Sequence, residues 1–259
     1  MAGVEGRPAV DGLFDVAGKR VLVAGSANGL GRVLVEAFAA RGAHCLVADL
    51  DEQGARTVAQ GLPGTGHGGC FVDVTDTDAC AEAVARSVRD GGLDVLINSA
   101  GRLHLAPALD LEQADFESVL RINTTGSFLL ARAAAHAMQA ARRGRIITIA
   151  SASSRVANAN YAAYATSKGA LVQLTRILAL EWAPHNITVN AIGPAMTLTP
   201  MTERYLDDPQ LKAHALSCIP LGRFGEARDI VGMALLLAAP AGEFITGQTI
   251  YVDGGRTLR

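Results

Sequence analysis

Stretches patterned like strands and stretches patterned like helices alternate along this chain from Lys19 to its C-terminal end, and that order restricts the fold more than any other feature. Strand-like runs occupy 20–24, 44–48, 70–74, 93–98, 145–150, 187–192 and 249–252. Most are apolar on both faces, which suits strands covered by helices above and below. Helical periodicity falls between them, over 29–41, 52–60, 77–89, 111–141, 161–181 and 227–238. The alternation predicts an α/β fold: one doubly wound domain with a parallel seven-stranded sheet, helices on both faces and right-handed crossovers. The 259 residues suffice for such a domain, and no internal repeat or linker rich in Pro, Gly or Ser divides them. Residues 1–12 read as a loose tail and 13–259 as the domain. The least regular stretch is 193–225, which carries Pro194, Pro200, Pro209 and Pro220. A loop of that length inside a compact domain is usually functional, and a lid over a substrate is expected.

Composition removes several classes of function. The formal net charge is −2 and no basic stripe is visible, which argues against a nucleic-acid partner. The tight basic cluster Arg142, Arg143 and Arg145 flanks Gly144 and reads as a solvated turn. Cys45, Cys70, Cys80 and Cys218 show neither metal-ligand spacing nor a disulfide framework, so no metal site is expected and a reducing compartment is. With no signal-type apolar core at the N-terminus and no stretch suited to crossing a bilayer, the reading is a soluble cytoplasmic protein without a membrane partner.

The first strand runs directly into Ala24-Gly25-Ser26-Ala27-Asn28-Gly29-Leu30-Gly31, and a helix follows. Glycines let such a turn adopt positive φ and let backbone amides approach a pyrophosphate, while the helix N-terminus adds favourable partial charge. Gly25, Ser26, Asn28, Gly29, Leu30 and Gly31 are therefore expected to cradle a dinucleotide. The spacing differs from the Gly-x-Gly-x-x-Gly fingerprint, and no Gly-Lys-Ser/Thr phosphate loop occurs, which argues against an NTPase. Asp49 ends the second strand. A carboxylate there accepts hydrogen bonds from ribose hydroxyls and repels a 2′-phosphate, and its neighbours Leu50 and Asp51 supply no cation, so NAD is expected rather than NADP. The alternative for Asp49 is to cap the next helix, a role Asp51 can also fill. Asp73 ends the third strand, either to hold an adenine amino group or to cap the following helix. Asn98-Ser99-Ala100-Gly101 closes the fourth with small residues where a cofactor ribose would pass.

Chemistry gathers around Tyr161-Ala-Ala-Tyr164-Ala-Thr-Ser-Lys168. Tyr164 and Lys168 stand at i and i+4 on one helix face. A fixed cation there favours the phenolate and brings a group that titrates near ~10 when free into range for proton exchange with an alcohol oxygen. The spacing alone equally describes a surface tyrosine beside a solvated lysine. Asn123 lies in Arg121-Ile-Asn123-Thr-Thr-Gly126, where two threonines and a glycine weaken the helix. A local break there frees a carbonyl to hold a water; otherwise the glycine is there for packing.

Taken together, the segment 24–31, Asp73, 98–101, Asn123, Ser151, Tyr164 and Lys168 occur in the order of the short-chain dehydrogenase/reductase family, and the chain resembles that family from about Phe14 to Gly255. The segments 222–225 and 244–255 share the likeness. The resemblance implies a Rossmann-type domain and a reversible reaction between a secondary alcohol and a ketone. It implies that Tyr164 is the acid/base, that Ser151 positions the substrate oxygen, that Lys168 lowers the phenol pKa and binds the nicotinamide ribose, and that Asn123 supports a proton relay. It adds Leu50, Val74, Ala100, Gly101, Pro194, Thr197 and Thr199 to the cofactor contacts, together with Tyr164 and Lys168, and implies a homotetramer. Ser153 and Ser154 are expected to shape the substrate loop and Tyr161 to line the pocket. Two residues depart from the family pattern: Ala24 stands in place of a threonine, and Ala195 in place of a glycine near Thr197 and Thr199.

Substrate motifs are most similar to gluconate 5-dehydrogenase-type and polyol members, which implies a small polyhydroxy alcohol or sugar acid, with Arg102, His104 and Arg155 placed to reach it from loops. A 3-oxoacyl thioester is the alternative, and usually accompanies NADP. A catalytically silent dinucleotide sensor is the other, although such proteins often lack the tyrosine or the lysine.

Overall fold

The computed structural model describes residues 12–88, 91–203 and 205–258. The expected tail over 1–12, Gly12 apart, and the end of the helix expected over 77–89 lie outside the described residues. Seven strands, β1 (Arg20–Ala24), β2 (His44–Asp49), β3 (Gly68–Phe71), β4 (Val95–Asn98), β5 (Gly144–Ile149), β6 (Ile187–Pro194) and β7 (Thr249–Val252), form one sheet in the order β3-β2-β1-β4-β5-β6-β7. Every pairing is parallel. Helices α1 (Gly29–Ala39), α2 (Glu52–Gly61), α3 (Thr77–Val88), α4 (Gln113–Leu120), α5 (Gly126–Ala141), α6 (Ala162–Trp182), α7 (Pro200–Glu203), α8 (Pro209–Ser217) and α9 (Val231–Ala238) make the crossovers and the late loop region.

The strands are apolar on both faces because each face has its own core. Val21 and Val23 of β1 and Val95 and Ile97 of β4 join Leu34 and Phe38 of α1 and Leu237 of α9. Leu22 and Leu96, one residue out of phase, join Leu130 and Met138 of α5 and Leu178 of α6 on the other side. A strand's side-chain period of two sends neighbours to opposite faces, and full burial of each such side chain contributes roughly 1.5–3 kcal/mol. Sequence order reverses between β1 and β4, so a crevice opens at the C-terminal ends of these strands, where ligands of open α/β sheets bind.

Three elements differ from the sequence expectation. β3 spans Gly68–Phe71 rather than 70–74. Its glycines read as a turn, yet a Cβ on Gly69 would stand 2.5 Å from the backbone of Arg56 in α2, so the strand is stripped of side chains where that helix crosses it. The helix expected over 111–141 is interrupted by a π turn at Arg121–Thr125 between α4 and α5. Gly126 follows directly, and a Cβ there would meet Val74 Cγ2 at 2.7 Å, so a close approach to the loop after β3 sets the position of the irregularity. The helix expected over 227–238 opens instead as a 3-10 turn, Ala227–Ile230, under a reciprocal capping box between Glu226 and Asp229. The irregular stretch 193–225 contains the two short helices α7 and α8, the second capped by Asp208. No helix among the described residues is long and apolar enough to cross a membrane.

Candidate active site

The loop from β1 to α1 is built for close approach. Gly25 (φ +70°) and Gly29 (φ +57°) hold left-handed backbone. A Cβ on Gly25 would lie 2.6 Å from Ala100 N, so this loop touches the one that leaves β4, and a Cβ on Gly31 would lie 2.1 Å from Gly25 O. Gly31→Ala is therefore expected to lower stability by about 1–3 kcal/mol and to weaken dinucleotide binding; thermal melts and a fluorescence titration with NADH check both. Asn28, at the N-terminus of α1, makes no side-chain capping bond, and no acidic residue occupies the first turn. The first amides of a helix have no intrahelical partner, so α1 offers donors and positive partial charge to an anion. Ser26 is turned inward: its hydroxyl donates to Val23 O (2.7 Å) and its amide to Ala48 O (3.4 Å), so both donors expected for a cofactor serve the sheet. That hydroxyl stands in the turn where Ala24 brings none.

Asp49 accepts from Ala27 N (2.9 Å) and Asp51 N (3.2 Å), and Asp51, accepting from Gly54 N (2.9 Å), is the cap of α2. Leu50 beside it is exposed. Asp73 accepts from the amide and hydroxyl of Thr75 (both 2.8 Å), while Asp76 receives the amides at the start of α3, so neither Asp49 nor Asp73 is a helix cap. Asn98 is buried, donating to Ser127 Oγ (2.9 Å) and accepting from Ala100 N (3.1 Å), and thus holds the loop after β4. A dinucleotide fits this edge: an uncapped helix N-terminus, a loop that excludes a Cβ at Gly25 and Gly31, and a carboxylate at the end of β2 succeed one another along the crevice.

Ser151, Tyr164 and Lys168 meet at the ends of β5 and β6. Together with Leu30, Gly101, Pro194, Thr197 and Thr199 they line a cavity of about 80 Å³. Ser151 Oγ accepts from Ser153 N (3.1 Å), and Ser154 Oγ, donating to Ser151 O (2.6 Å) and meeting Tyr251 Oη (2.9 Å), fixes the turn. Lys168 is buried; its Nζ donates to Ile149 O (2.7 Å) and stands 5.8 Å from the Tyr164 ring centroid. Burial pushes the Lys168 amine down to about 8. Burial pushes the Tyr164 phenol up to about 12, a hydrogen bond with Ser151 draws it back, and Tyr161 raises it slightly. The direction is opposite to the sequence expectation of a phenol lowered by Lys168: desolvation dominates, and the neighbouring amine is turned to the Ile149 carbonyl.

Asn123 is fully buried inside the π turn. Its Nδ2 donates to Arg102 O (3.0 Å) and Ser167 Oγ (2.9 Å), and its Oδ1 accepts from Arg102 N (2.8 Å). Ser167 Oγ in turn donates to Tyr164 O (2.7 Å). The side chain thus straps the loop after β4 to the turn of α6 that carries Tyr164. The main-chain carbonyl of Asn123, expected to be released by a break, accepts from Ser127 Oγ (2.6 Å). Thr197 and Thr199 follow Ala195 in a loop tied by Thr202, whose hydroxyl donates to Thr197 O (2.6 Å).

A second cavity, about 700 Å³, adjoins the first through Ser151, Tyr164, Ala195 and Thr202. Tyr161 lines it, its ring edge-on to that of Tyr164 at 6.1 Å. Arg102, His104 and Arg155 do not reach it. Arg102 pairs with Asp115 (2.7 Å) and Ser118 (2.6 Å), His104 approaches the same carboxylate (3.6 Å), and Arg155 lies over the Tyr251 ring at 5.7 Å. Among the described residues the arginine that lines this cavity is Arg256, which the sequence reading passed over. Its signal was a charged residue just after the closing Gly254-Gly255 pair.

A family model described as enoyl-(acyl carrier protein) reductase matches residues 24–257. The chain is 37% identical over 255 residues to a D-threitol dehydrogenase of Mycolicibacterium smegmatis, covering 96% of this chain and 97% of that one. It is 36% identical over 248 residues to a galactitol 2-dehydrogenase (L-tagatose-forming) of Cereibacter sphaeroides, covering 95% and 98%. Among solved structures, a gluconate 5-dehydrogenase from Burkholderia cenocepacia in complex with NADP and tartrate superposes with a TM-score of 0.92 at 33% identity, over 96% of this chain and 98% of that one.

Proposed function

The chain belongs to the short-chain dehydrogenase/reductase family, enzymes that act on CH–OH groups with a nicotinamide cofactor, and we propose that it interconverts a secondary alcohol and a ketone on a small polyhydroxy substrate, using NAD. The observation that carries this reading is the convergence of Ser151, Tyr164 and Lys168 on one cavity at the crevice. In the oxidative direction the Tyr164 phenolate takes the hydroxyl proton and Ser151 fixes the oxygen. The Lys168 amine stands by the ring to stabilise the phenolate as it forms, and Asn123 keeps loop and helix in register. A dinucleotide held by Gly25, Gly29, Gly31, Asp49, Asp73 and Gly101 supplies the hydride chemistry. The threitol and galactitol dehydrogenases named above support a polyol.

Asp49 supports NAD, since a carboxylate at the end of β2 repels a 2′-phosphate. Asp49→Ser is expected to raise the NADP-to-NAD ratio of kcat/KM about tenfold or more; equal use of both cofactors by the wild type contradicts the assignment. The general test is absorbance at the NADH band over a panel of polyols and sugar acids with each cofactor. Tight NADH binding without turnover of any alcohol or ketone points instead to a dinucleotide sensor. A 3-oxoacyl thioester stays as the second reading because Leu103, Leu105, Val156, Met196 and Leu206 give the larger cavity apolar walls; turnover of a thioester and not of polyols selects it. A homotetramer is proposed as the assembly, supported by Ile177 and Leu180 of α6, which are 43% and 78% exposed; sedimentation measures it.

A further inference from the structure

Arg256 has no part in the chemistry above, yet it faces the place where a substrate would lie. It opens the 3-10 turn Arg256–Leu258, is half-buried, and lines the larger cavity with Ser151, Tyr161 and Tyr164. Its Nη2 donates to Asn158 Oδ1 at 2.7 Å, which ties the end of the chain to the loop that follows Ser151 and orients the guanidinium through an uncharged partner. The neighbouring acid, Asp253, accepts from the amides of Gly255 (3.0 Å) and Thr257 (2.8 Å). Among the described residues no carboxylate forms an ion pair with Arg256. No Asp or Glu among the described residues lines the cavity, and the other basic residue that does is the exposed His214. The charge of Arg256 is felt close to the reacting groups. Burial and Tyr205 push the Tyr161 phenol up and Arg256 draws it back, and Tyr161 is the residue that meets the Tyr164 ring.

A permanent cation held in place within a cavity whose described walls carry no acid is complementary to an anion, and a guanidinium presents two parallel donors to a carboxylate. We propose that Arg256 binds a carboxylate of the substrate, so that the enzyme selects hydroxy and oxo acids over neutral polyols. This rests on the alcohol/ketone reading of the same site and narrows its substrate class.

The test compares a sugar acid with its own neutral amide. Wild-type kcat/KM is expected to favour the acid by about tenfold to a hundredfold. Arg256→Gln should bring that ratio close to one, chiefly through KM for the acid, and Arg256→Lys should keep part of it. A wild-type ratio near one, or a ratio that Arg256→Gln leaves in place, overturns the proposal. If neither compound nor any other alcohol is turned over, it is the alcohol/ketone reading that has failed, and binding then decides the role of Arg256. Tartrate and threitol share a four-carbon skeleton and differ in carboxylate against hydroxymethyl ends. Calorimetric titration of the NADH-loaded full chain is expected to show tartrate bound at least tenfold more tightly, and Arg256→Gln to remove the difference. Equal affinities in the wild type sink the inference.

Discussion

Tyr164→Phe is expected to lower kcat about a thousandfold or more, while NADH binds with near wild-type affinity. The substitution deletes one oxygen. The ring remains to line both cavities and to meet Tyr161 edge-on, so the walls stay in place. What disappears is the group that exchanges a proton with the substrate oxygen. Steady-state rates set beside a fluorescence titration with NADH separate the two effects, and a variant that keeps substantial turnover refutes the assignment. The pH profile of the wild type follows from the same residue. Oxidation needs the phenolate and reduction needs the protonated phenol. Burial pushes the Tyr164 phenol up, and since oxidation needs the phenolate, its rate should rise with pH from neutral into the alkaline range. Ser151→Ala removes a hydrogen bond that draws the phenol down. It should shift the rise to still higher pH as well as slow the reaction.

The parts of the molecule that could be read from sequence are those whose cause is local. Strands buried on both faces leave unbroken apolar runs, which is why β1, β2 and β7 stand where periodicity puts them, to within one residue. The glycines at 25, 29 and 31 announce a close-approach loop because positive φ at Gly25 and Gly29 strains most side chains and a Cβ at Gly25 or Gly31 would collide with backbone. What escaped has causes far away in the chain. Gly68 and Gly69 form a strand by pairing with β2 where α2 crosses Gly69 closely, whereas local propensity favours the β-branched residues just beyond. The weakness of the helix near Asn123 was visible, but its outcome was not. A π turn whose carbonyl is taken by Ser127 and whose amide straps Arg102 to Ser167 depends on partners up to 44 residues distant. The sign of the Tyr164 shift depends on how deeply the fold buries the helix face, which i, i+4 spacing does not convey. Arg256 reaches the cavity through Asn158, 98 residues earlier.

Lys168→Met should produce opposite changes in activity and stability. Without the amine nothing stabilises the phenolate from its buried side, and kcat/KM is expected to fall about a hundredfold or more. The nucleotide-free protein should become more stable at neutral pH. The amine titrates at 10.5 when unfolded and is pushed down to about 8 by burial, which corresponds to roughly 3 kcal/mol of destabilisation when it is charged in the fold. Losing the hydrogen bond to Ile149 O costs about 1 kcal/mol. That leaves ~2 kcal/mol in favour of the methionine, or a melting temperature several degrees higher. The sign follows from proton counting. Between about pH 8 and 10.5 the unfolded wild type holds a proton that the folded one has shed, so wild-type stability rises with pH through this window. The advantage of the methionine is therefore complete below about pH 8 and fades as pH approaches 10.5. Cys45, Cys70 and Cys80, raised by burial to about 12, 11 and 11, destabilise the fold above pH 9 in both proteins and cancel in the difference. Paired melts at pH 7 and pH 10 measure it. A gap that stays constant with pH would mean that folding leaves the titration of the amine unshifted over this range. A variant that melts lower than the wild type at pH 7 would mean that Lys168 is held mainly for packing.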